Sequence, residues 1–344
     1  MEPLRFERVR AGSPGHERAE AMRARLAANR PGGAEPLPGD ADLVLACRGD
    51  EVRACCSLAS AFDLHGAPGL TGMIGHYEAL DREAGIELLR HALGVLAARH
   101  GGRLRRVLGP INGSTWMRYR LALPALPGDP SFDPPVFLGE PQNPFDYPEH
   151  FAVAGFTVAA RYESRIDVDP ARVAEGAEAL ARRVADLGVR ITPLDLDRFD
   201  DELVDLHALS FEAFADNLYY SPLGRDEFFA GYRKMRPLID SELVLMAREG
   251  GGALVAFQFA YLDPVSARDG RPTRAVIKTV ATAPRVRGHG LAGHMLDLLR
   301  RRAHERGCQA TIHALMHVGN VSTRMSARHE GQVFRRYALY QWLP

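Results

Sequence analysis

The run Arg285-Val286-Arg287-Gly288-His289-Gly290 places two guanidinium groups beside two residues that lack a side chain. Leu291, Met295, Leu298, Leu299 and Ala303 follow at helical spacing, so the run opens an amphipathic helix near Leu291. The preceding run, Ala275-Val276-Ile277-Lys278-Thr279-Val280-Ala281, is apolar and β-branched, the pattern of a buried strand. Small residues at a strand-to-helix turn let backbone N–H groups converge on one point at the helix N-terminus. Unpaired donors and the positive end of the helix dipole both favour an anion there, phosphate above all.

Gly288-His289-Gly290-Leu291-Ala292-Gly293 also fits Gly-x-Gly-x-x-Gly, the spacing of a dinucleotide loop. Three features oppose that reading. Ala310–Met316, the next strand, contains no Asp or Glu to hold a ribose; only 51 residues follow Gly293, too few for the remaining strands; and the dinucleotide pattern does not ask for Arg285 and Arg287.

Behind this loop the chain must supply a positioning frame. At 344 residues, two domains are the expectation, at roughly 150 residues each. Hydrophobic residues make up 46%, enough for packed cores, and Lys+Arg and Asp+Glu are both 43, a balance that argues against a general nucleic-acid binder. Only two of the 43 basic residues are lysine, Lys234 and Lys278. Cys47, Cys55, Cys56 and Cys308 lack the spacing of a zinc site and are expected as reduced, buried thiols of a cytoplasmic protein, with no metal. The N-terminal Met1-Glu2-Pro3-Leu4-Arg5 lacks the apolar core of a signal peptide, and no run has the length of a membrane helix.

The chain repeats itself. Leu43-Val44-Leu45-Ala46-Cys47-Arg48 is echoed by Leu243-Val244-Leu245-Met246-Ala247-Arg248. Each is followed by a second apolar strand, a third strand, a long helix ending near a glycine (Gly101, Gly307), a strand, and an Asn that opens Asn112-Gly113-Ser114-Thr115 or Asn320-Val321-Ser322-Thr323. Each half closes on a strand carrying an Arg-Tyr pair, Arg161-Tyr162 and Arg336-Tyr337. The shared order predicts a tandem duplication of one α/β domain. The expected domains are 1–165 and 166–344, joined by an Ala- and Arg-rich helix over Asp167–Gly188.

The halves differ in two ways. Counting back from the helix-ending glycines, Gly288 and Gly290 fall opposite Arg82 and Ala84, with Asp81 and Glu83 alongside. Two carboxylates repel an anion, and side chains at the glycine positions block close backbone approach. The first copy is therefore expected to be degenerate. It also carries an insertion, 121–150, with eight prolines: Pro124, Pro127, Pro130, Pro134, Pro135, Pro141, Pro144 and Pro148. This excludes a helix or central strand, and Phe132, Phe137, Phe145 and Tyr147 favour a packed loop.

The Arg-x-x-Gly-x-Gly spacing of the 285–290 loop resembles the pyrophosphate loop of the GNAT (N-acetyltransferase) superfamily. The resemblance extends to element order. From Val189 the second half reads strand, helices over 201–235, strands 243–248, 254–262 and 275–282, helix 291–305, strand 310–316, short helix 321–330 and strand 332–342. Asn320 and Gly331 also keep the spacing the family has after its fifth strand. The resemblance implies an α/β (α+β) fold of two tandem GNAT-like domains, each a mixed, mostly antiparallel sheet flanked by helices, the first copy being the weaker match.

It further implies an acyltransferase, most readily an N-acetyltransferase, that uses acetyl-coenzyme A as co-substrate and acts on a small-molecule amine or amino-acid-like acceptor. Nucleic acid and membrane are not expected partners. Implied coenzyme contacts are Val280, Ala281, Thr282, Arg285, Val286, Arg287, Gly288, His289, Gly290, Leu291, Ala292 and Asn320, with Arg324 as a further cation. Many family members place a Tyr seven residues after the Asn, as the acid for the departing thiolate; here Ala327 stands there, with Ser326 beside it. Ser326 is the candidate acid, and His317, three residues before Asn320, the candidate base. The aromatic-rich 211–232 segment (Phe211, Phe214, Tyr219, Tyr220, Phe228, Phe229, Tyr232) is the expected acceptor cover. A non-catalytic acyl-coenzyme A sensor or scaffold, and a transferase of a longer acyl or aminoacyl group, stay open on the sequence.

Overall fold

Leu43–Cys47 and Val244–Ala247 are apolar at every position, so the strands they form need cover on both faces. The computed structural model, which describes residues 2–10, 12–38, 40–126 and 136–344, gives them that cover within one continuous sheet. Pro127, Pro130, Phe132, Pro134 and Pro135 lie outside the described residues.

The first copy contributes β1 (Arg5–Arg10), α1 (Pro14–Leu26), β2 (Asp42–Arg48), β3 (Glu51–Leu64), β4 (Ala67–Ala79), α2 (Arg82–His100), β5 (Leu104–Gly109), the two-residue β6 (Leu121–Ala122), α3 (Tyr147–Val153) and β7 (Thr157–Asp167). A linker helix, α4 (Ala177–Ala185), follows. The second copy contributes β8 (Arg190–Pro193), α5 (Phe199–Ala213), α6 (Arg225–Met235), β9 (Val244–Arg248), β10 (Leu254–Leu262), β11 (Arg274–Thr282), α7 (Leu291–Glu305), β12 (Ala310–His317), α8 (Val321–Arg328) and β13 (Gln332–Trp342). In each copy one helix crossover makes a parallel pair, β4 with β5 through α2 and β11 with β12 through α7. Their neighbours pair antiparallel.

The sheet runs β1-β2-β3-β4-β5-β13-β7-β12-β11-β10-β9-β8, with β6 on β13. The two copies have therefore exchanged their last strands. β13, from the second copy, lies against β5 of the first; β7, from the first, lies against β12 of the second. The expected boundary at 165 falls inside this exchanged strand. β7 and β13 pair with each other antiparallel and set Tyr337 opposite Tyr162. These are the two tyrosines that correspond in the repeat, so a local two-fold relation passes between them, as in an isologous dimer interface.

Two large cores lie along the sheet. One gathers Leu88, Leu89, Leu96, Val107 and Phe151 around α2. The other gathers Leu203, Leu206, Val255, Phe257, Met295 and Leu299 around α5 and α7. Leu291, Met295, Leu299 and Ala303 are buried at the spacing that predicted α7. The insertion joins both cores: Phe137 is buried in the second and Tyr147 in the first, whereas Phe145 is exposed.

The linker differs from expectation. Helix occupies only Ala177–Ala185, because β7 continues to Asp167 and the next turns are held open by Arg300. Its Nε donates to Asp167 Oδ2 at 2.6 Å, and its Nη atoms donate to the carbonyls of Asp169 (2.8 Å) and Arg172 (3.0 Å). Carbonyls spent on a side chain are not available to a helix ladder. No helix among the described residues is long and apolar enough to cross a membrane. The four cysteines are buried and unpaired.

Candidate functional site

The centre of the second copy is a fork between two parallel strands. β11 and β12 pair only from Arg274↔Ala310 to Ile277↔His313 and then part. The cause lies in β12, where the pairing to β7 slips between His313 and Met316 and Leu315 takes a φ of 57°. A positive φ at a side-chain-bearing residue persists only where its surroundings hold it. Here both clamps come from the first copy: Leu315 N–H donates to Ser164 Oγ at 3.0 Å, and Leu315 O accepts from Arg120 Nη1 at 2.8 Å. Arg120 is itself stacked on the rings of Tyr119 and Tyr162, 3.7 and 4.0 Å from their centroids.

Beyond the fork, the edge of β11 that faces β12 is unpaired over Lys278–Thr282. Val280, Ala281 and Thr282 thus offer backbone groups to an extended, peptide-like arm. The loop that follows ends at Gly290, the N-cap of α7, with φ 87°, and Gly288 has φ 83°. Both conformations favour glycine. Gly290 is also pressed by the linker helix, since a Cβ there would overlap Leu180 Cδ1 and approach Arg183 Nη2 to 3.3 Å. No side chain caps α7, so its first-turn donors at Leu291 and Ala292 are free of a capping acceptor. Gln258, buried on β10, donates through Nε2 to Ala292 O at 2.6 Å and holds this first turn against the sheet.

The predicted cations divide. Arg285 is paired with Glu249 at 3.1 Å, and Arg287 donates to Thr282 O (3.2 Å) and Ala213 O (2.8 Å). Arg287, though exposed, thereby braces the loop against the end of α5. Val286 and His289 belong to the same loop, Val286 packing at the margin of the core. Arg324 is exposed on α8 and has no partner among the described residues. Asn320, the N-cap residue of α8, is exposed and makes no side-chain capping bond.

Ser326 and His317 are separated by their surroundings. Ser326 is fully buried, its Oγ without a hydrogen-bond partner among the described residues and tight against Gly331. That position is closed to a departing thiolate, because a proton donor must reach the leaving group. His317 is half-buried at the end of β12, its ring 5.3 Å from that of Tyr162. Desolvation, then the Arg120 guanidinium, pushes its pKa down, so the neutral ring is favoured. Its Nδ1 accepts from Gly319 N–H at 3.2 Å, which assigns the proton of the neutral ring to Nε2. In that tautomer the outer nitrogen is a donor, and action as a base requires giving up the Gly319 bond.

The first copy's equivalent fork is closed. Asp81 is the N-cap of α2, accepting from Ala84 N–H at 2.9 Å, and Arg53 holds it at 2.8 Å. A carboxylate of the chain itself occupies the anion position. α2 has 19 residues against 15 in α7. The extra turn lies at its start, so Asp81, not Ala84, is the counterpart of Gly290. The insertion fills the strand edge: Tyr147 OH lies 2.7 Å from Ala79 N and 3.1 Å from Ala79 O, and His150 Nδ1 lies 2.7 Å from Tyr77 OH. After Asn112 no helix forms. The segment instead runs across to the second copy, where Trp116 donates to Ser221 O at 3.0 Å and packs against Phe214, Tyr220 and Phe228.

Of the aromatics in 211–232, Tyr219, Phe228 and Phe229 are buried and Phe211 is exposed, so much of that segment is core rather than pocket. The residues missed from sequence are Gln258, Ser164 and the 118–120 run. The only signal was their polarity inside or beside apolar strands.

A mixed sheet with a helix crossover between two parallel strands, built twice in one chain and once with a glycine turn at the helix start, is the tandem GNAT fold, and this chain has it. Residues 202–328 match the family described as Acetyltransferase (GNAT) family. Among solved structures, the chain is similar over 99% of its length to a glucosamine N-acetyltransferase region of a fungal multi-domain GH3 β-N-acetylglucosaminidase (12% identity, TM-score 0.56), and spans 38% of that chain. It is also similar to a GCN5-related N-acetyltransferase from Sphaerobacter thermophilus (16% identity, 100% and 97% of the two chains, TM-score 0.53). A tandem GNAT protein from the clavulanic acid biosynthesis pathway gives 16% identity, 99% and 98% coverage and a TM-score of 0.54. At such identities the likeness is one of fold. No curated protein matches in sequence. Among the described residues no group of three or more His, Cys, Asp or Glu is placed to hold a metal ion.

Proposed function

We propose that this protein is an acyltransferase that moves acetyl from acetyl-coenzyme A to a small amine, with 166–344 as the donor-binding domain and 1–165 as a degenerate partner. The observation that carries the reading is the open edge of β11 leading into an uncapped, glycine-started helix. A peptide-like pantetheine arm suits the first, and a pyrophosphate suits the second. Asn320 is available to the other side of the arm and Arg324 to a phosphate.

In the reaction, the neutral acceptor nitrogen forms a bond to the thioester carbon and loses a proton, the carbon–sulfur bond breaks, and the thiolate takes up a proton. Free backbone N–H groups at the fork stabilise the oxyanion that develops between these steps. Ser326, buried as it is, is not assigned the proton transfer. His317, neutral with its proton on Nε2, can hydrogen-bond the departing thiolate but is too weak an acid to protonate it, and it takes a proton from the attacking nitrogen only by freeing Nδ1 from Gly319.

The experiment is a screen of amines with acetyl-coenzyme A, following release of the coenzyme thiol and the mass of the protein. The expected result is thiol release that depends on an added amine, with no acetylated protein accumulating. Release without amine acetylation, or a stable acetyl-protein, would contradict direct transfer.

A further inference from the structure

Lys278 stands where the fork begins and has no counterpart on either neighbouring strand. Towards β10 the register runs Thr279↔Phe259 and then Ala260↔Ile277, so Lys278 is the extra residue of a bulge. Towards β12 the pairing has ended at Ile277. A bulge re-aims the side chain it carries. Arg274–Ile277 before it are buried, whereas Lys278 is exposed. Its ammonium makes no hydrogen bond or ion pair among the described residues.

The surroundings of this lysine come from the other copy. Desolvation by the protein around it lowers its pKa, and the charged groups that act on it are Glu35 and then Arg118. Lys278 thus meets solvent at the bulge while Glu35 and Arg118 of the first copy act on its charge. Glu35 is fixed there: Asn112 Nδ2 donates to its Oε2 at 2.6 Å, while Asn112 Oδ1 accepts from His76 N at 2.6 Å. Asn112 N–H in turn donates to Arg118 O at 3.0 Å, and the Arg118 guanidinium lies over Gly32. Two residues on, Arg120 grips Leu315 O on the opposite arm of the fork. Lys278, Arg118 and Glu35 together hold two cations and one carboxylate, a positive surplus, and the ammonium has no direct partner among the described residues. A partly desolvated charge left unpaired is costly until an anion joins it.

We infer that the acceptor is an amine that also bears a carboxylate, as an amino acid does, with Lys278 and Arg118 receiving the carboxylate and Glu35 facing the ammonium. This rests on the transferase reading above. It makes Lys278 a specificity-determining residue and explains why the first copy is kept although its own coenzyme position is filled.

The test compares the twenty proteinogenic amino acids with their α-carboxamides as acceptors for the wild-type chain, with acetyl-coenzyme A as donor. Near neutral pH the amide's amine is the less basic and more often deprotonated, so chemistry alone favours the amide. The expected result is transfer to at least one amino acid with kcat/KM about tenfold or more above its amide. In Lys278→Met, KM for that amino acid rises about 10–100-fold, the loss of a charge-assisted bond. Its kcat stays within about threefold, KM for the amide is unchanged, and Lys278→Arg restores most of the difference. Equal use of acid and amide, transfer to neither, or a fall in kcat with KM unchanged would overturn the inference. Titration of acetyl-coenzyme A into both proteins separates the two readings. A wild-type chain that binds no donor overturns the transferase reading itself, whereas one that binds donor and ignores the carboxylate overturns only this step.

Discussion

Gly290→Glu is expected to weaken acetyl-coenzyme A binding by about a hundredfold or more. Three effects act in the same direction. The backbone at Gly290 has φ 87°, a conformation that costs a side-chain-bearing residue about 1–2 kcal/mol. Its Cβ would collide with Leu180 of α4, so the turn or the linker helix must shift and the α7 donors lose their convergence. The new carboxylate then sits at the helix N-terminus, where it competes for the same N–H groups and repels a pyrophosphate. Circular dichroism and a thermal melt of the variant separate a lost site from a lost fold. A folded variant with wild-type affinity would place the donor elsewhere. The first copy already exhibits the same condition naturally, because Asp81 caps α2.

Mild acid is expected to destabilise the protein by about 4 kcal/mol between pH 7 and pH 5. His76 and His313 are both buried and neutral. Burial, then the Arg23 charge, pushes His76 down to about 3, and burial is also the leading cause that pushes His313 down to about 4. The sign follows from linkage. With folded pKa values below the unfolded value of about 6.5, the unfolded chain binds more protons as pH falls. Stability is therefore full above about pH 7 and drains as pH drops towards the folded values, by about 2 kcal/mol per histidine at pH 5. His329, also pushed down to about 3 with burial as the leading cause, adds in the same direction, so about 4 kcal/mol is the least loss expected. Asp167, held below the usual carboxylate range by Arg300 despite burial, contributes a loss only at still lower pH. Urea unfolding at pH 7 and pH 5 measures the difference. A stability that is flat or rises towards pH 5 would mean that these imidazoles are charged or solvated in the native state.

The loop proposed for the donor is legible in the sequence as a strand-to-helix turn because glycine punctuates it. Gly288 and Gly290 interrupt a strand-to-helix run, the apolar spacing from Leu291 fixes the face of α7, and Asn320 to Gly331 fixes α8. The strand exchange was not legible. β7 and β13 are similar strands with an Arg-Tyr pair each, and swapping two such strands alters no local pattern. Only the register, Tyr162 against Tyr337, reveals it.

The acceptor side escaped for a different reason. A one-residue bulge has no sequence signature, so Lys278 read as one more position of a buried strand. Asn112 marked the repeat, yet the residues after it do not repeat α8 but cross into the other copy, and nothing local foretells where a loop will dock. The spacing from Asn320 points to Ser326, but its burial depends on Gly331 packing against it, a tertiary fact. The linker was read as one long helix because its alanines and arginines favour helix. Arg300, more than a hundred residues later, captures its first carbonyls instead.

The central claim is a single donor site, in the second copy, with the first closed by Asp81 and Tyr147. Calorimetric titration of acetyl-coenzyme A into the wild-type chain, with NADH as comparison, tests it most directly. One acetyl-coenzyme A per chain and no heat of binding with NADH are expected. Two sites per chain, binding of NADH at the same loop, or no binding to a folded chain would contradict it.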